Sequence, residues 1–313
     1  MKSLAWPAAL LLLLGGSVAT DDGAKAVSSL ACNTGLQAPV WIAGGETQIG
    51  DDAGYTDERP SYRTHVDGFW IDRFEVTNAQ FADFVKATGY VTSAERRGDS
   101  MVFIPPTQGQ IPTAPDQWWK VVEGADWQHP EGPDRSIEGR AHLPVVHVSH
   151  RDALAYAAWV GRRLPSEEEF ERAARVGLVS LNEQPEPDSA NTWQGSFPIA
   201  NLKYDGYAGL APVGCYKANA PGAHDLIGNA WEWTSSWYLP GHGPAATKLG
   251  NPGKLSFDPN QPGIDVRVIK GGSFLCAPNY CARYRPSARH AQAEYESASH
   301  IGFRTVTNRK SDQ

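Results

Sequence analysis

Apolar residues along the chain fall into short runs with two different periods. After Thr77, the residues Phe81, Phe84 and Val85 stand at i, i+3 and i+4, one face of a helix. Thr77 is a capping residue and Gly89 a stop, so a helix is expected between them. Ser149 with Asp152 opens a second helix, with a buried stripe of Ala153, Tyr156, Ala157 and Val160 and a stop at Gly161. Ser166 and Glu169 form a capping box for a third. Glu167, Glu168 and Glu169 fill its first turn, where the helix dipole favours acids, and Phe170, Ala173 and Ala174 face inward. Period-two alternation is weaker: residues 40–50 and 65–75 read as strands, and 143–148 as a short apolar strand. Residues 95–140 show no regular pattern yet hold Trp118, Trp119 and Trp127. A stretch so long reads as functional, and its tryptophans argue for order. There is no βαβ alternation, no internal repeat and no fourth strong helix.

Composition narrows the class. The chain has 313 residues, enough for one large domain or two medium ones. Eleven Trp, 31 Gly and 23 Pro fit a loop-rich protein rather than a helical bundle. A net charge of −7 without a basic run argues against nucleic-acid binding. Lys2, the apolar run 8–14 and the small-x-small site Ser17-Val18-Ala19 read as a signal peptide over 1–19. The run is too short to span a bilayer and no later stretch can, so an exported chain is expected, in the periplasm, outside the cell or in the endoplasmic reticulum lumen. A flexible lead-in over 20–36, one domain over 37–308 and a tail over 309–313 complete the expected layout.

The chemistry gathers in residues 267–304. Cys276 and Cys281, two of four cysteines, flank Ala277-Pro278-Asn279-Tyr280, a segment suited to a tight reversal that brings both sulfurs together. Gly271-Gly272 permits close backbone approach before Ser273, and Arg283, Arg285, Arg289 and Arg304 can hold carboxylates. The pair can be a structural disulfide, a redox dithiol or a two-thiolate site for Cu(I). Cys32 and Cys215 can bridge, or Cys215 can be a buried free thiol. Asp51, Asp52, Asp57 and Glu58 read as solvated surface, with a calcium contribution as the lesser reading. Two constellations mix side-chain oxygens with free carbonyls: Asn191-Thr192-Trp193-Gln194 with Asp205-Gly206-Tyr207, and residues 225–233 from Asp225 through Gly228, Ala230 and Glu232. Calcium uses that mixture, and so do plain turns.

The order of these pieces resembles the formylglycine-generating enzymes, the sulfatase-modifying factor family. The carrying words are GDS at 98–100, Trp118-Trp119, W-x-HPEGP at 127–133, PVVHVS at 144–149 and GRRLPSEEEFE at 161–171. NTWQG-x-FP at 191–198, GNAWEWTSSW at 228–237, KGGSFLC-x4-C-x-RYR at 270–285 and S-x2-GFR at 299–304 follow. The C-x4-C pair is the specific signal; GNAWEW and GFR mark only a wider superfamily. The resemblance implies an α+β, C-type-lectin-like variant fold with little regular structure. It implies a monomeric oxidase that uses O2 and a thiol reductant to convert a cysteine in a sulfatase's C-x-P-x-R segment to Cα-formylglycine. It implies Cu(I) on Cys276 and Cys281, with Trp231, Ser273, Tyr280 and Arg289 around them. It implies two Ca2+ ions, one on Asn191, Thr192, Asp205 and Tyr207, the other on Asp225, Gly228, Ala230 and Glu232, with Glu58 as a loose addition. Ala157, Ala174 and Pro286 stand where some members carry extra cysteines, Ala277 where a His can occur, and His300 where Asn is expected.

Overall fold

In the computed structural model, residues 32, 38–107, 109–176, 185–242 and 256–309 are described. The expected signal peptide, nearly all of the lead-in and most of the tail lie outside them.

Among the described residues, four small sheets, four α-helices and two single-turn 3-10 helices make up the regular structure. Strands β1 (Val40–Ile42), β4 (Phe69–Ile71) and β11 (Val306–Thr307) form one antiparallel sheet, with Val40 and Val306 both opposite Ile71. Strands β2 (Gly45–Ile49) and β3 (Tyr62–Val66) pair as a separate ribbon. The stretches expected to be single strands, 40–50 and 65–75, are therefore each broken, and their halves serve different sheets. β5 (Asp99–Phe103) and β6 (Trp119–Glu123) make a second ribbon. The largest sheet has the order β10 (Ile301–Gly302), β7 (Trp231–Trp237), β8 (Val266–Lys270), β9 (Arg289–Ala293).

The three expected helices are present. α1 (Asn78–Thr88) runs from a Thr77–Gln80 capping box to Gly89. α3 (His150–Trp159) and α4 (Glu167–Arg175) start at the Ser149–Asp152 and Ser166–Glu169 boxes. A further short helix, α2 (Ser93–Arg97), is capped by Thr92 with Glu95 and ends at Gly98. Residues 95–140 thus contain a helix end and a ribbon rather than only irregular chain. Residues 143–148 form no strand. Val145 N–H donates to Val76 O, His147 N–H to Ala298 O, and His147 has φ 59°, so the segment serves several partners instead of one ladder.

The main core packs Phe81, Phe84, Trp127, Tyr156, Trp233 and Phe303 together with Trp231 and Cys276. The cysteine loop is therefore laid on the hydrophobic core and not suspended above it. Burial of several large aromatic side chains, each worth about 1.5–3 kcal/mol, gives that floor its rigidity.

Candidate active site

β8 delivers the chain to Gly271 and Gly272, both at positive φ. A Cβ on Gly272 would lie 2.8 Å from Arg283 O and 3.4 Å from Cys276 Sγ, so only glycine lets the two limbs of the loop close. Ser273 N–H points at Cys276 Sγ (3.4 Å), Cys276 N–H donates to Ser273 O, and Tyr280 N–H donates to Ala277 O, closing the expected turn.

The result is two free thiols with sulfurs 3.2 Å apart, Cys276 buried and Cys281 half-buried. That is beyond a disulfide bond of about 2.05 Å and within reach of a shared proton. Burial, then the neighbouring sulfur, pushes the Cys276 thiol well above its ordinary value. The hydrogen bond from Cys276 lowers Cys281, and Arg283 and Arg285 reinforce this against burial. Of the two thiols, Cys281 is therefore the one that gives up its proton first, with Cys276 as the donor to it.

Both sulfurs open into a cavity of about 680 Å³ lined also by Trp231, Ser273, Tyr280 and His300, as expected, and by Tyr55, Trp119, Arg283, His290, Gln292 and Glu296, which were not. Arg289 is not in its lining. Along β9, side chains alternate faces: His290 and Gln292 reach the cavity, while Arg289 turns inward. There it donates to Glu167 (3.0 Å) and to the carbonyls of Asp57 and Leu239 (2.9 Å each). The period-two pattern of residues 289–293 was the signal that could have separated them. His300 packs on Trp119 at 4.7 Å. Burial, then the neighbouring His290 and His147, lowers it to about 3, so its ring is neutral at pH 7. Tyr280 stacks on Phe197 at 4.1 Å.

The acids at 57–58 are not solvated surface. Glu58 is fully buried and holds Arg285 in a bidentate pair (2.5 and 2.7 Å), and Asp57 holds Arg283 (3.0 Å). These pairs clamp the cysteine loop to the residue-55 turn, with Arg283 also over the Tyr55 ring at 4.2 Å.

Two further clusters brace the loop from behind. In the first, Asp205 takes Tyr207 N–H at 3.1 Å and a backbone hydrogen bond from Thr192, while Asn191 donates to Asn229 Oδ1. Asp205 Oδ2 and Thr192 Oγ1 are buried without partners, and burial raises the Asp205 carboxyl to about 6. In the second, Asp225, Glu232 and Glu75 surround one guanidinium. Arg304 binds Glu232 twice at 2.6 Å and lies 3.9 Å from Glu75, and it also donates to Asp225 O. Burial raises all three carboxyls; Asp225 Oδ1 and Glu75 Oε2 lack partners. Glu75 is the member that sequence reading missed. A Cβ on Gly228 would sit 2.3 Å from Asn191 O, so glycine is what lets the two clusters touch. Trp193 N–H donates to Cys276 O at 3.0 Å and Phe274 N–H to Asn229 O, which ties them to the cysteine loop. Cys32 and Cys215 form a disulfide beside Tyr207. Among the described residues, no group of three or more His, Cys, Asp or Glu side chains is spaced to hold a metal ion, and no helix is long and apolar enough to cross a membrane.

A family model for the sulfatase-modifying factor enzyme 1-like domain matches residues 24–309. The chain belongs to the sulfatase-modifying factor family. It is 45% identical over 266 residues to the formylglycine-generating enzyme of Mus musculus, covering 80% of this chain and 69% of that protein. It is 37% identical over 285 residues to the inactive C-alpha-formylglycine-generating enzyme 2 of Mus musculus, covering 87% and 86%. The solved structure of PvdO from Pseudomonas aeruginosa superposes with a TM-score of 0.59 at 24% identity, covering 89% of this chain and 96% of that one. That likeness concerns the fold, which is the expected α+β variant with little regular structure. Matched to formylglycine-generating enzymes over most of its length, the chain is an enzyme of this family.

Proposed function

We propose that this enzyme oxidises the cysteine of a C-x-P-x-R segment in a sulfatase polypeptide to Cα-formylglycine, with O2 as oxidant. The observation that carries the reading is the pair of unbridged sulfurs, 3.2 Å apart, on the wall of a cavity large enough for a peptide segment. In the net reaction, R–CH2–SH, O2 and two reducing thiols give R–CHO, hydrogen sulfide, water and a disulfide, so the reductant supplies two electrons.

Two thiols suit a soft monovalent ion, and Cys276 and Cys281 would hold Cu(I). When bound, copper supplies the redox chemistry and a seat for the substrate thiolate. The chain's own contribution is placement. Trp231 and Trp119 exclude water, and Ser273 N–H bonds Cys276. Arg283 favours negative charge on Cys281, and His300 adds a neutral ring to the cavity wall.

Calcium on the two rear clusters is part of the same reading. Asn191, Asp205 and the carbonyls of Thr192 and Tyr207 would hold one ion. Asp225, Glu232 and the carbonyls of Gly228 and Ala230 would hold the other. What supports this is the partnerless Asp205 Oδ2 and Asp225 Oδ1, and three buried carboxyls facing one guanidinium, an arrangement that a divalent cation relieves. The Cys32–Cys215 disulfide accords with export to an oxidising compartment.

The test is direct. Copper-loaded protein, O2, a thiol reductant and a C-x-P-x-R peptide should yield the aldehyde mass, and Cys276→Ser or Cys281→Ser should abolish it. No aldehyde from the intact protein rejects the reading. The similarity to an inactive relative supports a silent binding protein as the second reading, in which Cu(I) titration would find no sulfur-bound metal.

A further inference from the structure

We propose that the Cys32–Cys215 disulfide is a redox latch that sets the divalent-cation affinity of the oxygen-rich clusters behind the cysteine loop. The proposal rests on the calcium reading above. It concerns the second pair of cysteines. Cys276 and Cys281 are thiols, whereas Cys32 and Cys215 are bonded and lie among Ala211, Tyr216 and Tyr207. Tyr207 is where that bond meets the first cluster. Its hydroxyl lies 3.5 Å from Cys215 Sγ and 3.9 Å from Cys32 Sγ. A disulfide sulfur carries no proton, so the hydroxyl donates. The backbone of the same residue donates its N–H to Asp205 Oδ1 at 3.1 Å, and its carbonyl is among the oxygens assigned to the ion. One tyrosine thus touches the bond with its ring and the cation site with its main chain.

The residues on either side of Cys215 reach both clusters. Gly214 N–H donates to Asp225 Oδ2 at 2.7 Å, and the Tyr216 hydroxyl donates to Asp205 O at 3.2 Å. The segment is closely held. Gly214 has φ 71°, a Cβ on it would lie 2.6 Å from the Phe74 ring, and Tyr216 O sits 2.7 Å from His224 Nδ1. Cys215 is buried, while Cys32 is half-buried and open to a small thiolate. Two small thiols reduce the bond to two protein thiols and leave as one small disulfide, a transfer of two electrons and two protons. The protein sulfurs must then part to non-bonded distance. Tyr207 loses the acceptor that fixed its ring, and the segment that supports Asp205 and Asp225 gains freedom. A site whose oxygens are already in place binds tightly; once the segment loosens, binding has to supply the ordering itself. By linkage the effect is mutual, and a bound cation makes the disulfide harder to reduce by the same factor.

The full chain is titrated with Ca2+ by calorimetry, first oxidised and then after treatment with dithiothreitol. Because Cys276 and Cys281 are already thiols, the Cys32–Cys215 bond is what dithiothreitol changes. The reduced chain should bind Ca2+ about tenfold more weakly, within the usual range of coupling between two sites. C32S should show the weak affinity with or without dithiothreitol, and Y207F should show part of the loss while oxidised. S166A, which weakens the fold through the α4 cap, should keep the affinity of the intact chain, so a general loss of stability is told apart from the latch. Hydrogen exchange places the change: the Tyr207 and Gly214 amides should exchange faster in the reduced chain. The same Kd in the oxidised and reduced chains overturns the proposal and leaves the calcium reading standing. Weaker binding without faster exchange at either amide also overturns it. No Ca2+ uptake by the oxidised chain removes the calcium reading and the latch together.

Discussion

Asp205 titrates against its own fold. Its carboxyl is raised to about 6 by burial, against an ordinary value of 3.8. Between those values the folded state binds a proton that the unfolded chain has released. The contribution to stability is full below about pH 4 and is lost as pH rises through 6. Glu75, Asp225 and Glu232 shift in the same direction. In chelator, the thermal midpoint should therefore fall between pH 4 and 7, D205N should flatten part of that slope, and added Ca2+ should reverse it. Arg304 is the counterweight, fully buried and bound to Glu232 by two bonds. R304Q leaves three buried acids without a guanidinium and should lower stability by about 3–5 kcal/mol in urea titration. At this scale the sequence was legible where chemistry sits on neighbours in the chain, as with Cys276 and Cys281. For Arg289 only the period-two alternation of its strand was legible, and which of the two faces meets the cavity is set by partners far along the chain.

The helices show which elements announce themselves. Each of α1, α3 and α4 begins at a capping box formed within four residues, so sequence spacing alone carries the signal. Ser166→Ala removes the hydroxyl that accepts Glu169 N–H and should cost about 1 kcal/mol by thermal melt, with no change in KM. α2 has the same Thr92–Glu95 device and a left-handed Gly98, a signal present in the sequence and passed over because five residues hold no apolar period. The strands were harder to place. β5 and β6 pair across a gap with no alternation to mark it, and β7 has no outward polar face over Trp231–Thr234, where all four residues are buried. Their register comes from tertiary contacts that no local pattern encodes.

Taken as one body, the molecule spends much of its length holding a short loop still. Residues from GDS, HPEGP, PVVHVS and the 297–304 segment, scattered through the chain, meet in the line Ser297, Ser100, His147, Pro130. Their resemblance to a known family was readable one word at a time, but their meeting was not. Cys32 and Cys215 close a loop with a sequence separation of 183. C32S should lower stability by about 2–5 kcal/mol, checked by urea denaturation with and without reductant. The same wholeness bears on the sulfurs. Since Trp193 hangs from the carbonyl of Cys276 while its neighbour Thr192 touches Asp205, a disturbance at the oxygen-rich rear travels along one strap of backbone to the front. Stripping divalent ions with a chelator should then alter how fast iodoacetamide alkylates Cys281, a chemical echo of an event on the far side of the loop.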